Sequence, residues 1–101
     1  MDLVEDVYRL TKSFPKYEIY GLRSQMRAAA ISIPSNIAEG YGRQSAKTFS
    51  HFLSIAFGSL CELETQITIA KRLGYLENSK SDLDLMKEVA KMLYSMRNRK
   101  S

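Results

Sequence analysis

The chain has 101 residues, fifteen Lys and Arg against eleven Asp and Glu, and a formal charge of +4. That length gives one domain, residues 1–101, burying only about 60 to 70% of its unfolded surface, so a lone copy is expected to be modestly stable. Hydrophobic residues at 45% exclude a disordered chain, and no apolar run approaches the ~18 residues of a membrane span.

Residues 2–14 read as the first helix. The start, MDLVEDVYRL, is acidic and periodic, the opposite of a secretory leader. Asp2 and Glu5 have capping-box spacing, and Leu3, Val7, Leu10 and Phe14 fall on a single stripe. Pro15 stops the helix and pushes Phe14 toward extended geometry. Residues 16–21 are a short connection ending at Gly21.

The second helix is expected over residues 20–41, although the stretch SIPSNIAEGYGRQS from Ser32 to Ser45 has the composition of a loop. Leu22, Met26, Ala29, Ile33, Ile37 and Tyr41 keep helical spacing straight through Pro34, which a loop would not do. Pro34 removes its own donor and crowds the Ala30 carbonyl, so a kink is expected there. Ser32, Ser35 and Asn36 are available for backbone groups freed by the distortion. Gly40 and Gly42 are expected to end the helix, one of them in left-handed geometry. The rival reading is a phosphate loop at Gly40-Tyr-Gly42. It lacks a preceding strand and a following Gly-Lys-Ser/Thr, and nothing in the chain alternates like a strand.

The third helix, residues 46–73, has the clearest pattern. Ser45 is placed to cap it, and Gly74 stands where a C′ glycine belongs. Phe49, Leu53, Ala56, Leu60, Leu63, Ile67 and Ala70 hold a seven-residue repeat, the seam of a left-handed bundle. Phe52, Ile55, Ile69 and Leu73 form a second apolar line, wider than one bundle core needs. Phe57 and Cys61 lie off both lines and are candidate subunit contacts. The fourth helix, residues 79–98, has Ser79 or Ser81 as cap and Leu85, Met86, Val89, Met92, Leu93 and Met96 on its inner face.

These residues also carry a likeness. Tyr20-Gly-Leu, Gln25-Met-Arg, the run Ser32-Ile-Pro-Ser-Asn-Ile-Ala-Glu-Gly-Tyr-Gly-Arg43, Phe57-Gly-Ser-Leu-Cys-Glu-Leu-Glu64 and Leu73-Gly-Tyr-Leu76 resemble the bacterial four-helix bundle family. It is also known as the 23S ribosomal RNA intervening-sequence protein family. The resemblance covers nearly the whole chain, and IPSNIAEG is its most specific part. Members usually carry a Leu-x-Val-Trp stretch ahead of the position of Leu3, and this chain has no Trp. A short first helix is expected as a result. The resemblance implies an all-α, antiparallel up-down-up-down left-handed bundle that assembles as a barrel-shaped homopentamer. It also implies kinship with the accessory protein of diversity-generating retroelements, which is basic, binds nucleic acid and works with a reverse transcriptase. The family name records where some of its genes lie, and biochemical roles are unassigned. Pro34, Asn36, Glu39, Gly40 and Gly42 are read as its structural motif.

The supply of catalytic groups is thin. His51 is the only histidine and Cys61 the only thiol. On one helix their Cα atoms lie ~15 Å apart, too far for a nucleophile–base pair, and a zinc site needs more ligands. No catalytic residue, metal or cofactor is expected. A lone Cys61 forms no internal disulfide, which suits a reducing cytoplasm; the bland reading of Cys61 is a small packing residue, and of His51 a surface or interface residue. Glu39 reads as a hydrogen-bond partner of Asn36, Arg43 or a helix end, with a ligand or subunit contact as the sharper alternative.

In an antiparallel bundle one pole collects Lys12, Lys16, Arg23, Arg27, Lys71, Arg72 and Lys80, opposed by Glu18, Glu77, Asp82 and Asp84. The other pole has Arg43, Lys47, Arg97, Arg99 and Lys100 against Asp2, Glu5, Asp6 and Glu39. Lys12, Lys16, Arg23, Arg27, Lys71 and Arg72 are therefore the candidate contacts for RNA or single-stranded DNA, by charge alone. Two functions stay open. One is an oligomeric, non-enzymatic nucleic-acid-binding or scaffolding protein; the other is a protein–protein adaptor that touches no nucleic acid.

Overall fold

Four α-helices follow one another along the chain: α1 Asp2–Thr11, α2 Leu22–Tyr41, α3 Ala46–Arg72 and α4 Lys80–Arg97, with a 3-10 turn at Lys16–Glu18. The computed structural model describes residues 2–76 and 79–98, and no strand occurs among them. The helices lie side by side in a body measuring 43 × 25 × 19 Å. α2 runs along α3, α1 packs on α2 and touches α4, and α4 packs on α3. Among the described residues neither α1 and α3 nor α2 and α4 bring Cα atoms within 8 Å. The cross-section is thus a square in which sequence neighbours are spatial neighbours.

α1 stops at Thr11, three residues short of the expected end at Phe14. The Thr11 hydroxyl donates back to the Val7 carbonyl at 2.8 Å, a bond that competes with helix propagation. Lys12 and Phe14 then donate to the Arg9 and Thr11 carbonyls in tighter turns, because the residue before a proline avoids helical geometry. Phe14 nevertheless stays buried and meets the Tyr75 ring at 5.2 Å. The apolar stripe outlasts the helix. α2 likewise starts at Leu22 instead of residue 20, because the 3-10 turn and Ile19–Gly21 take up the connection.

α2 continues through Pro34 without interruption. Asn36 donates to the Ser32 carbonyl at 2.8 Å and to its hydroxyl at 2.9 Å, and that hydroxyl lies 2.7 Å from the Ser59 hydroxyl on α3. Neither Gly40 nor Gly42 is left-handed. Gly40 is inside the helix and Gly42 caps it at φ −73. Gly40 is needed for closeness: a Cβ there would sit 2.9 Å from Phe49 Cδ1 and 3.2 Å from Phe52 Cβ. The left-handed cap is at Gly74, φ 79. Tyr75 donates to the Ala70 carbonyl and Gly74 to the Lys71 carbonyl, the paired bonds that close a helix with glycine at C′.

Ser45 accepts from the Thr48 amide, and Ser79 forms a capping box with Asp82. The α3 seam residues Ala56, Leu60, Leu63, Ile67 and Ala70 are buried, while Phe49 and Leu53 at its start are half-buried. Leu60, Leu63, Ile67 and Ala70 share one core with Met26, Ala29 and Ile33 of α2 and Leu85, Val89 and Leu93 of α4. Tyr41 leaves the expected stripe. It is 73% exposed and rests its ring on Phe49 at 5.1 Å.

Candidate functional site

The last turn of α1 and the first half of α2 meet at a cationic depression. Arg23 and Arg27 stand four residues apart on α2, hence on one face. Arg27 Nε donates to the Thr11 hydroxyl at 2.9 Å, and Nη2 donates to the Tyr8 carbonyl at 3.1 Å. Its guanidinium carbon lies 4.3 Å from the centroid of the Tyr8 ring. Arg27 therefore closes the carbonyl end of α1, where the helix dipole is negative. Thr11 is fully buried and fully bonded, donating to Val7 and accepting from Arg27.

Tyr8, Arg9, Lys12, Arg23 and Arg27 line a cavity of about 350 Å³. A neighbouring cavity of about 370 Å³ is lined by Tyr8, Ile19, Arg23, Ser24, Arg27, Ala28 and Ile31. Arg9 is held by Asp6 at 2.7 Å. The side chains of Lys12 and Arg23 form no hydrogen bond or ion pair with another described residue. Of the six cations singled out from sequence, three converge here: Lys12, Arg23 and Arg27. Lys16 is exposed on the 3-10 turn, and Lys71 and Arg72 are exposed in the last turn of α3. Neither of these last two lines either of the two cavities. Glu77, Arg99, Lys100 and the side chain of Asp2 lie outside the described residues.

Glu18 is more than a counter-charge. One carboxylate oxygen accepts the Leu22 amide at 2.9 Å, and the other accepts the Tyr75 hydroxyl at 2.8 Å. Gly21 precedes α2 and has no side chain to cap it, so Glu18 supplies the missing acceptor. The Leu22 amide first, and Tyr75 second, hold the Glu18 carboxyl below the ordinary range. Tyr17, 3.4 Å away, and then Glu18 push the Tyr75 phenol above its usual range.

Glu39 pairs with Arg43 at 3.0 Å on the surface, and Arg43 lies 5.3 Å from the Phe52 ring centroid. Of the same motif, Asn36 (through Ser32) and Gly40 meet α3, Pro34 lies inside α2, and Gly42 caps it. Phe57 and Cys61 are half-buried against the core. Ile55 and Ile69 of α3, and Leu73 that caps it, are exposed. His51 is exposed, its ring edge-on to Phe52, and no group of His, Cys, Asp and Glu among the described residues is arranged to hold a metal ion.

Sequence reasoning missed Tyr8 and Arg9. The available signal was the pair Tyr8 and Lys12, four apart on α1 and turned away from the stripe of Leu3 and Val7. What the depression offers chemically is fixed positive charge beside an apolar wall.

No helix among the described residues is long and apolar enough to cross a membrane. A search of curated proteins finds no match. The family model described as 23S rRNA-intervening sequence protein matches residues 1–95. With the match spanning almost all of a four-helix chain whose α2 runs unbroken through IPSNIAEG, this chain belongs to the 23S rRNA-intervening sequence protein family.

Proposed function

We propose that the chain is one unit of an oligomeric, non-enzymatic scaffold that binds RNA or single-stranded DNA through charge. The observation that carries this reading is the cavity ringed by Arg9, Lys12, Arg23 and Arg27, with Asp6 paired to Arg9. Cations so grouped neutralise successive phosphates and release their counterions. Phosphate contacts position a strand without reading its sequence. Exposed Lys16, Lys71 and Arg72 extend the field around the same end of the bundle in the antiparallel reading.

That reading is an up-down-up-down bundle. Ser32 pairs with Ser59, and Gly40 with Phe49 and Phe52, so α3 numbers fall as α2 numbers rise. The seven-residue repeat on α3 supports a left-handed twist. Assembly into a homopentamer is supported by the family resemblance and by Ile55, Ile69 and Leu73, which one chain leaves exposed. The lone Cys61 suits the cytoplasm.

Competition between unrelated single strands of equal length tests the function. All should displace a labelled strand about equally. One sequence winning by more than about tenfold would refute charge-only binding. Failure of every strand to bind would leave the adaptor reading in its place.

A further inference from the structure

The two cavities between α1 and α2 share Tyr8, Arg23 and Arg27 and are one trough with two chemistries. One half adds Arg9 and Lys12. The other adds Ile19, Ala28 and Ile31. We infer that this trough seats a single unpaired nucleotide, its phosphate in the basic half and its base against the Ile19–Ile31 wall. The inference rests on the nucleic-acid reading above and gives it a location and a strand preference.

Three observations carry it. First, the trough is ready for an anion. Arg27 already satisfies the α1 carbonyl end and keeps three of its five N–H donors. Lys12 and Arg23 are unpaired among the described residues, so an arriving phosphate breaks no ion pair to reach them. Second, the wall is apolar where a bundle surface is normally polar. Ile19 and Ile31 are each 41% exposed, beside cations, and Tyr8 is 38% exposed. A base is an apolar face carried next to a phosphate, which matches that adjacency. Third, each half has the size of a small-ligand site, roughly 300 to 1,000 Å³.

A base inside a duplex is stacked on both faces and cannot lie on the wall. Binding should therefore favour single strands, as base-stacking surfaces do. An acidic peptide or a second copy of the chain would meet the same charges, and both are outcomes of the test.

Fluorescence anisotropy at fixed salt compares three probes: a single-stranded oligonucleotide, its duplex, and an abasic strand with the same number of phosphates. The parent should bind the intact strand about tenfold more tightly than the abasic one. Ile31→Gln should erase that advantage, and Ala28→Gln should reduce it. Arg23→Ala should weaken both strands by a similar factor. Circular dichroism and light scattering on each variant check fold and mass. Equal affinity for intact and abasic strands, or an Ile31→Gln protein with its preference unchanged, overturns the base seat while leaving charge-driven binding standing. Binding of an acidic peptide but of no nucleic-acid probe overturns both. A change of oligomer mass in Ile31→Gln makes the wall a contact between copies, and that also overturns the inference.

Discussion

Glu18 and Arg27 are the residues whose roles differ most from their sequence appearance. Both look like members of a charged pole. Glu18 closes the start of α2 at Leu22 and also holds the Tyr75 hydroxyl 57 residues away, and Arg27 closes the end of α1 from 16 to 19 residues on; neither long pairing leaves a periodic trace. Glu18 has a depressed carboxyl, so its stabilising effect is fully present above the unfolded value near pH 4.5 and is lost as pH falls toward the lower folded value. The stability difference between the parent and Glu18→Gln should be constant from about pH 6 to 7 and shrink below about pH 4.5. Denaturant melts across that range measure it, and a gap that widens in acid would contradict the assignment. Arg27→Ala should cost about 1 to 3 kcal/mol, since it strips charged bonds from the Tyr8 carbonyl and the buried Thr11. For a domain this small, each kcal/mol lowers Tm by about 4 to 8 °C. Arg23→Ala, with no partner to lose among the described residues, should stay within about 0.5 kcal/mol of the parent. Thermal melts separate the two, and Arg23 is thus the cleaner probe of binding.

At the scale of elements, most of the molecule was readable. The spacing from Leu22 to Ile37 carried α2 through Pro34, and the α3 repeat named its buried seam. Ends were read less well, because they depend on local bonds that periodicity does not encode: Thr11 closing on Val7 shortens α1, and the 3-10 turn delays α2. Gly40 was misread for a related reason. A glycine near a helix end normally signals a left-handed cap, but this one is set by the approach of Phe49 and Phe52 from α3. Gly40→Ala should therefore destabilise. Overpacking costs about 1 to 3 kcal/mol, against a helix-propensity gain of about 1. Gly58 lies in the middle of α3 with nothing within 4 Å of an added Cβ. Gly58→Ala should raise stability by about 0.5 to 1 kcal/mol. Chemical denaturation of the pair gives the ranking, and equal effects would mean that α2 and α3 are not so closely seated at Gly40.

For the whole molecule, the limiting fact is size. A 101-residue chain leaves Ile55, Ile69 and Leu73 exposed along its longest helix, and a small domain gains stability by covering such surface with copies of itself. Light scattering should return a multiple of 11.5 kDa at micromolar concentration, five-fold in the pentamer. Ile69→Lys with Leu73→Lys should lower that mass, and an 11.5 kDa parent would remove the oligomer from the proposal. The candidate site was only half legible from the chain. Counting charges by pole found Lys12, Arg23 and Arg27, but not the Tyr8 and Arg9 side of the depression, because that side forms only when α1 is laid on α2. Binding by charge at that depression makes one measurement decisive: the salt dependence of affinity for a single strand, parent beside the Lys12→Ala, Arg23→Ala double variant. Log affinity should fall linearly with log salt, by about 0.7 per phosphate contacted, and the double variant should lose about 1.4 from the slope. A parent that binds no strand at about 50 mM salt, or a double variant with an unchanged slope, would contradict it.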